Sequence, residues 1–282
     1  MQELKYAVIG NPVEHSLSPT IHSLFAKQFN LNLSYKPIKL QIDSFNQELL
    51  YLFKTNRLHG CNITAPFKVK AFEFVDELTE RAQIAKSVNT IKKLNCGRLL
   101  GDNTDGFGLT NDLINKHIEL TNKNILLVGS GGASRGIIFP LLMQGVKKIS
   151  IVNRTEHKAR ELAKEFTPYG EVESLSLNNL QVVNSDIVIN GTSATFSQDN
   201  FILSSSLKFT KNFTGYDLNY NEKKSDFICW SEQMKACENY NGFGMLVEQA
   251  ALSFQLWFNQ TPNTKAIFDH FRIFKSYSHF LI

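Results

Sequence analysis

Four cysteines in 282 residues are too few for a disulfide framework in a chain this long. Cys61, Cys96, Cys229 and Cys237 fall at spacings that match no Cys-x-x-Cys metal or redox signature, so reduced thiols and a cytoplasmic setting are expected. The seven histidines form no metal-like cluster, and no metal is expected. No apolar run approaches the roughly 18 residues of a membrane span. The segment Met1-Gln2-Glu3-Leu4-Lys5-Tyr6 has neither the basic region nor the apolar stretch of a signal peptide. Charge of one sign is not in excess either. Against 30 Lys plus Arg stand 26 Asp plus Glu, a formal net charge of +4 with no patch or arm. Nucleic-acid and membrane partners are therefore not expected, while a small anionic substrate is compatible.

The composition, 43% hydrophobic and 20% charged, is that of a globular protein, and the length allows two modest domains. Strand and helix patterns alternate from the start, which predicts an α/β fold. An apolar run from Tyr6 to Ile9 ends in Gly10-Asn11-Pro12. Ser18-Pro19 reads as an N-cap and a proline at the first helical position, with a helix to about Phe29. Strand-like Tyr35 to Leu40, helical Phe45 to Lys54 and strand-like Leu58 to Ile63 follow. Ser87 to Leu94 and Gly97 to Gly101 suggest a hairpin turning at Asn95-Cys96-Gly97. The domain boundary is placed near Asp105, with a helix over Phe107 to His117. A second α/β series has strands at Asn124 to Val128, Lys148 to Val152, Ile187 to Ile189 and Gly215 to Leu218, the rhythm of a doubly wound sheet. A helix with an apolar stripe covers Gly244 to Phe258, and a short one Thr264 to Phe271.

Between the first strand and helix of that second series lies Gly129-Ser130-Gly131-Gly132-Ala133-Ser134-Arg135-Gly136. Gly129 can make the tight turn and Gly131 can let a pyrophosphate approach the backbone, with the helix N-terminus as the anion site. Ser134 stands where a third glycine is usual, and its small side chain still permits close packing. The next strand ends in Asn153-Arg154-Thr155, without the acid that binds the ribose of NAD. Arg154, aided by Thr155 and by Lys158 one turn on, suits a 2′-phosphate, so NADP is the expected cofactor.

In the first half, Ser16 and Ser18 would share one side of an extended loop and can grip a carboxylate; local capping by Ser18 is the alternative. Asn62 and Thr64 have strand parity at the carboxyl end of a sheet, and Lys68 opens the next helix, where the helix field disfavours a cation. A surface lysine is the competing reading. Asp102-Asn103-Thr104-Asp105-Gly106 is an acidic loop without the spacing of a calcium hand.

Taken together these motifs resemble the shikimate dehydrogenase family over nearly the whole chain. Ser16-Leu17-Ser18-Pro19 is similar to its substrate-carboxylate loop, and Asn62-Ile63-Thr64-Ala65-Pro66-Phe67-Lys68 to the signature around its catalytic lysine. Ser87-Val88-Asn89-Thr90 places Asn89 at a substrate position, and Gly101 to Gly106 places the catalytic aspartate at Asp105. The glycine-rich loop, including Ser134, and Asn153-Arg154-Thr155 match as well. Tyr216-Asp217-Leu218 and Gly242 to Ala250 match the closing motifs, with Tyr216 and Gln249 completing the substrate site. Thr192, Ser193, Leu218 and Gly242 would face the cofactor. Two departures stand out. Asn190-Gly191-Thr192-Ser193-Ala194-Thr195-Phe196 has Gly191 where Ala is common and Ala194-Thr195 where a small residue and Gly are common, and Leu218 stands where Met is common.

The resemblance implies a substrate-binding domain of residues 1–104 plus 245–282 and a Rossmann-like NADP domain of residues 105–244, with the C-terminal helices packing back on the first. It implies reversible reduction of 3-dehydroshikimate to shikimate by NADPH, with Lys68 and Asp105 bracketing the reacting oxygen. A cytoplasmic monomer or homodimer is expected. Two alternatives stay open: a dehydrogenase of the same family that also accepts quinate, and a non-catalytic NADP-binding sensor.

Overall fold

In the computed structural model, residues 3–192, 202–220 and 224–278 are described. They form two compact units, Met1–Thr104 with Leu246–Ile282 and Asp105–Met245.

The first unit opens with β1 (Leu4–Gly10), α1 (Ser18–Gln28), β2 (Leu33–Lys39), α2 (Phe45–Lys54) and β3 (Gly60–Ile63). It continues through α3 (Lys68–Phe74), β4 (Glu77–Leu78), α4 (Glu80–Ala85), β5 (Thr90–Lys93) and β6 (Leu99–Asp102). Among the described residues these strands make one sheet in the order β2-β1-β3-β5-β6-β4. Only β5 runs antiparallel to its neighbours, as the hairpin turning at Gly97 (φ 88°) requires. The last residues of β1 and all of β3 are buried, as expected of parallel strands covered on both faces. Sequence order reverses between β1 and β3, so the crevice beyond their carboxyl ends is the place where such sheets bind ligands. The two chain exits nearly touch there: a Cβ on Gly10 would lie 2.4 Å from Thr64 Cγ2.

In the second unit come α5 (Asp105–Asn115), β7 (Asn124–Val128), α6 (Gly132–Met143), β8 (Lys148–Val152), α7 (Glu156–Phe166) and β9 (Val172–Ser174). After these lie β10 (Val182–Val183), β11 (Ile187–Asn190), β12 (Lys208–Phe209), β13 (Thr214–Asp217), α8 (Asp226–Gln233) and β14 (Glu238–Tyr240). The main sheet is wholly parallel in the order β14-β13-β11-β7-β8-β9, the Rossmann arrangement, with its own reversal between β7 and β11. Strands β10 and β12 pair separately.

Helix α9 (Phe243–Phe258) starts in the second unit and from Leu246 belongs to the first, followed there by α10 (Lys265–Ser278). The tail packs back on the first sheet. Trp257 lies 4.5 Å from the Tyr6 ring of β1 and donates to the Ile91 carbonyl of β5 at 3.0 Å.

Three local readings need correction. Ser18 is not the N-cap of α1: Leu17 takes that place in a helical conformation, and no side chain caps the helix. The Ser16–Ser18 loop is accordingly not extended, and Ser16 Oγ accepts from the Ser18 amide at 3.2 Å. The last helix runs to Ser278 rather than Phe271, because no glycine or proline stops it. Helix α8 escaped the sequence reading although its cap was visible: Ser225 Oγ accepts from the Ile228 amide at 3.2 Å.

Candidate functional site

In the first unit, loops at the β1/β3 reversal bring forward Ser16, Ser18, Thr64 and Lys68. Ser18 is buried, whereas Ser16, Thr64 and Lys68 are half-buried. Lys68 is the first residue of α3, and its backbone carbonyl accepts from Val88 at 2.9 Å, which ties α3 to the segment preceding Asn89.

Behind these groups lies a buried polar network. Asn62 Oδ1 accepts from the Tyr35 hydroxyl at 2.8 Å. The Asn62 Nδ2 hydrogens are shared among the Asn89 carbonyl at 3.2 Å and the hydroxyls of Thr90 and Ser253 at 3.0 Å each. Asn89 Oδ1 accepts from the Thr104 amide at 2.9 Å and the Thr90 hydroxyl at 2.8 Å. Asn89 Nδ2 donates to Thr104 Oγ1 at 2.8 Å and to Gln249 Oε1 at 3.2 Å. Gln249 Nε2 donates to the Leu246 carbonyl at 2.8 Å. Sequence parity put Asn62 beside Thr64 as a ligand. In the structure the Asn62 amide is hydrogen-bonded to these protein partners, at 6% exposure.

The loop after β6 is fixed as firmly. Asp102 is fully buried and accepts from Arg81 Nε and Thr79 Oγ1, both at 2.6 Å, and from the Asn103 amide at 2.8 Å. Asn103 Nδ2 reaches Ser87 Oγ at 2.7 Å. Asp105, 4% exposed, begins α5 in the second unit.

One titratable group in this region has no hydrogen-bond partner. Both ring nitrogens of fully buried His22 lack one. The imidazole lies 4.4 Å from the Tyr35 ring at an interplanar angle of 12°. Burial pulls its pKa down to about 3, with the Asn62 side chain acting weakly the other way.

In the second unit the glycine-rich loop leaves β7 and enters α6. Gly129 has φ 104°, which favours glycine, and a Cβ there would come within a tight 3.1 Å of the Gly191 backbone. A Cβ on Gly131 would meet nothing within 4 Å, and the first amides of the 12-residue α6 follow at Gly132, Ala133 and Ser134. An open face over helix-terminal amides fits a pyrophosphate. Ser130, Gly132 and Ala133 are half-buried, while Ser134 is buried with its hydroxyl unpartnered. After β8, Asn153 Nδ2 donates to the Thr155 carbonyl at 2.9 Å. Arg154 and Lys158 are exposed, and among the described residues neither pairs with a carboxylate. Two free cations with no acid at the strand end fit a 2′-phosphate.

The ends of β11 and β13 are knotted around Asp217. Its Oδ1 accepts from Asn190 Nδ2 at 3.0 Å and Asn219 Nδ2 at 2.9 Å, and Ser225 donates to Oδ2. Burial raises the Asp217 pKa, and these hydrogen bonds oppose the rise. Asn190 Oδ1 holds the Thr192 hydroxyl at 2.7 Å, and the Thr192 carbonyl accepts from Asn219 at 2.7 Å. Gly242 lies against the Leu218 carbonyl, which a Cβ would approach to 2.2 Å. Thr192, Leu218 and Gly242 thus gather at one sheet end. Ser193 and the Ala194-Thr195 departure lie outside the described residues.

Gly191 has a physical reason. An alanine Cβ there would fall 2.3 Å from Ser134 Oγ, so this chain places its small residue opposite its serine. Tyr216 is a correction. It has no exposed surface, and its hydroxyl donates to Asp112 Oδ2 at 2.7 Å inside the second unit. Burial, and then the Asp112 carboxylate, push its pKa well up. Tyr220, four residues on, is half-buried beyond the same strand. Tyr35, Ser253 and Thr104 were also missed, because the chain positions that join them lie far apart.

Comparison with known proteins extends this picture. Residues 8–91 match the shikimate dehydrogenase substrate binding domain, 112–211 the shikimate / quinate 5-dehydrogenase family, and 242–267 the shikimate 5'-dehydrogenase C-terminal domain. The shikimate dehydrogenase (NADP(+)) of Vibrio campbellii is 42% identical over 268 residues, covering 95% of this chain and 96% of that protein. That of Vesicomyosocius okutanii is 44% identical over 269 residues, covering 95% and 99%. The crystal structure of a Thermus thermophilus shikimate 5-dehydrogenase with NADP(H) and shikimate superposes with a TM-score of 0.80 at 28% identity, covering 93% and 96%.

Proposed function

The chain belongs to the shikimate dehydrogenase family, and from that premise we infer that it catalyses the reversible NADPH-dependent reduction of 3-dehydroshikimate to shikimate, a step of aromatic amino acid biosynthesis. The observation that carries the reading is the placement of each motif set at the strand-order reversal of its own sheet.

NADPH, when bound, supplies the hydride. Gly129 to Ser134 hold its pyrophosphate, Arg154, Thr155 and Lys158 its 2′-phosphate, with Asn153 shaping that loop. Thr192, Leu218 and Gly242 border the nicotinamide side. Ser16 and Ser18 take the substrate carboxylate, and Thr64, Asn89 and Gln249 take ring hydroxyls. Lys68 is the principal acid-base group, because a lysine can be cationic opposite a developing oxyanion and can return a proton to it. Asp105 orients the same oxygen. Tyr216 is left out, since its hydroxyl is already bound.

Among the described residues no helix is long and apolar enough to cross a membrane. A cytoplasmic monomer or homodimer is proposed on the family resemblance. The test follows near-ultraviolet absorbance of reduced nicotinamide with purified protein. Shikimate with NADP should give rapid reduction, NAD little. Comparable rates with quinate would move the assignment to the broader dehydrogenase. Binding of NADP without turnover of either acid would overturn the enzymatic reading.

A further inference from the structure

We propose that the Tyr35 hydroxyl holds the buried Asn62 amide in one orientation, and so, through the shared network, positions Asn89 and Gln249 for the substrate. The proposal rests on the reading of those two side chains as substrate ligands. Tyr35 is then a positioning residue, 27 residues from Asn62 in sequence and joined to it by one 2.8 Å hydrogen bond.

The direction follows from groups that cannot reverse. A backbone amide only donates and a backbone carbonyl only accepts. The Thr104 amide fixes Asn89 Oδ1 as an acceptor, which can take the Thr90 hydroxyl proton at 2.8 Å. The Gln249 carbonyl takes the Ser253 hydroxyl proton at 3.0 Å. The two hydroxyls lie 2.7 Å apart, so one donates to the other, and in either arrangement each oxygen can still accept; the third neighbour, the Asn89 carbonyl, can only accept. Asn62 must therefore turn its NH2 toward this side and its oxygen toward Tyr35. The Tyr35 hydroxyl is the donor that meets that oxygen.

Amide groups are nearly symmetric in shape, so the cost of an Asn62 flip lies wholly in its hydrogen bonds. Without the Tyr35 hydroxyl the buried Asn62 oxygen loses its donor. The gap between the two orientations then narrows: a flipped oxygen would find two hydroxyls but would also face the Asn89 carbonyl, and the NH2 would turn toward the Tyr35 and His22 side. Those hydroxyl protons would be withdrawn from Asn89 Oδ1 and from the α9 carbonyl of Gln249. Both proposed ligands would lose their alignment although neither was altered. His22 supports the anchor sterically: stacked on the Tyr35 ring, it fixes the plane in which the hydroxyl points.

The experiment is steady-state kinetics of the full chain carrying Tyr35→Phe, which keeps the ring and removes one oxygen. The expected result is a shikimate KM raised about 5- to 20-fold, the scale of one lost buried hydrogen bond, with kcat and the NADP KM within about 3-fold of wild type. Ser253→Ala breaks the same network at its far end and should raise the same KM; it serves as the reporter should Tyr35→Phe fail to fold. Combined with Asn89→Ala, Tyr35→Phe should add little further. A lower melting temperature with an unchanged shikimate KM, while Asn89→Ala raises that KM, would overturn the proposal and leave the site reading intact. An unchanged KM in Asn89→Ala and Gln249→Ala would overturn the site reading, and the proposal with it.

Discussion

The two units place their candidate sites at the same topological position and build them from opposite materials. At the β1/β3 reversal the first unit relies on side chains, and most are buried: Asn62 at 6%, Asn89 at 3% and Gln249 at 8% exposure. At the β7/β11 reversal the second unit offers backbone amides, a bare glycine face and two exposed cations. A small ring with several hydroxyls has to be read by donors and acceptors whose directions are fixed, which requires burial and full satisfaction. A phosphate is read by charge and amide dipoles, which tolerate solvent. Selectivity should therefore reside in the first unit and cofactor choice in the second.

The sharpest break of that division is Lys68→Ala. Turnover should fall roughly 10²- to 10⁴-fold, the scale of a positioned acid-base group, while NADP still binds; near-wild-type turnover would remove Lys68 from the chemistry. Next comes Arg154→Ala. The NADP KM should rise about 10- to 100-fold from the loss of charge-assisted hydrogen bonds, with the shikimate KM unaltered. A simultaneous rise in both would mean that the two tasks are not separated as described.

Acid should strike the first unit through His22. The folded pKa, about 3, lies below the ordinary 6.5, so below pH 6.5 the unfolded chain takes up a proton that the folded one refuses. Stability is fully present above pH 6.5 and is lost as pH falls toward 3. At pH 5 the loss from this group should be about 2 kcal/mol. Denaturant melts at pH 7 and pH 5 should show that slope in wild type and a much smaller one in His22→Phe; equal slopes would contradict it.

Tyr216→Phe separates packing from recognition. It should lower stability by about 1 kcal/mol, since Asp112 keeps its Lys116 ion pair, and leave the shikimate KM untouched. A raised KM would restore Tyr216 to the substrate site. The smallest effect is expected from Gly191→Ala. The new methyl would crowd Ser134 Oγ, which can rotate, with Ser134 Cβ and the Val128 carbonyl at an ordinary 3.4 Å, so about 1 kcal/mol at most should be lost, and Ser134→Ala should recover it.

The same contrast governs what the sequence could disclose. The cofactor site is local: strand, glycines, helix and the Arg154 strand end follow one another within about thirty residues, each with its own physical signature. The substrate site is not. Asn62 looked like a ligand because parity is a local rule, yet its partners include Ser253, 191 residues away. Tyr216 failed for a related reason. The strand β13 is buried at three of its four positions, so no alternation marks which side chain faces outward. The alternating architecture was readable throughout, whereas short α8 and β14 gave too little periodicity to be seen.

The bond between Asn62 and Ser253 also sets an order of assembly. A ribosome working at about 5–20 residues per second delivers Ser253 some ten to forty seconds after Asn62. During that interval all of Asp105–Met245 emerges and can fold, while the earlier unit waits for its last helices with an unfinished polar interior. A nascent chain stalled before α9 would present a competent nucleotide fold joined to a half-built partner, and quality-control proteases would meet that exposed half first.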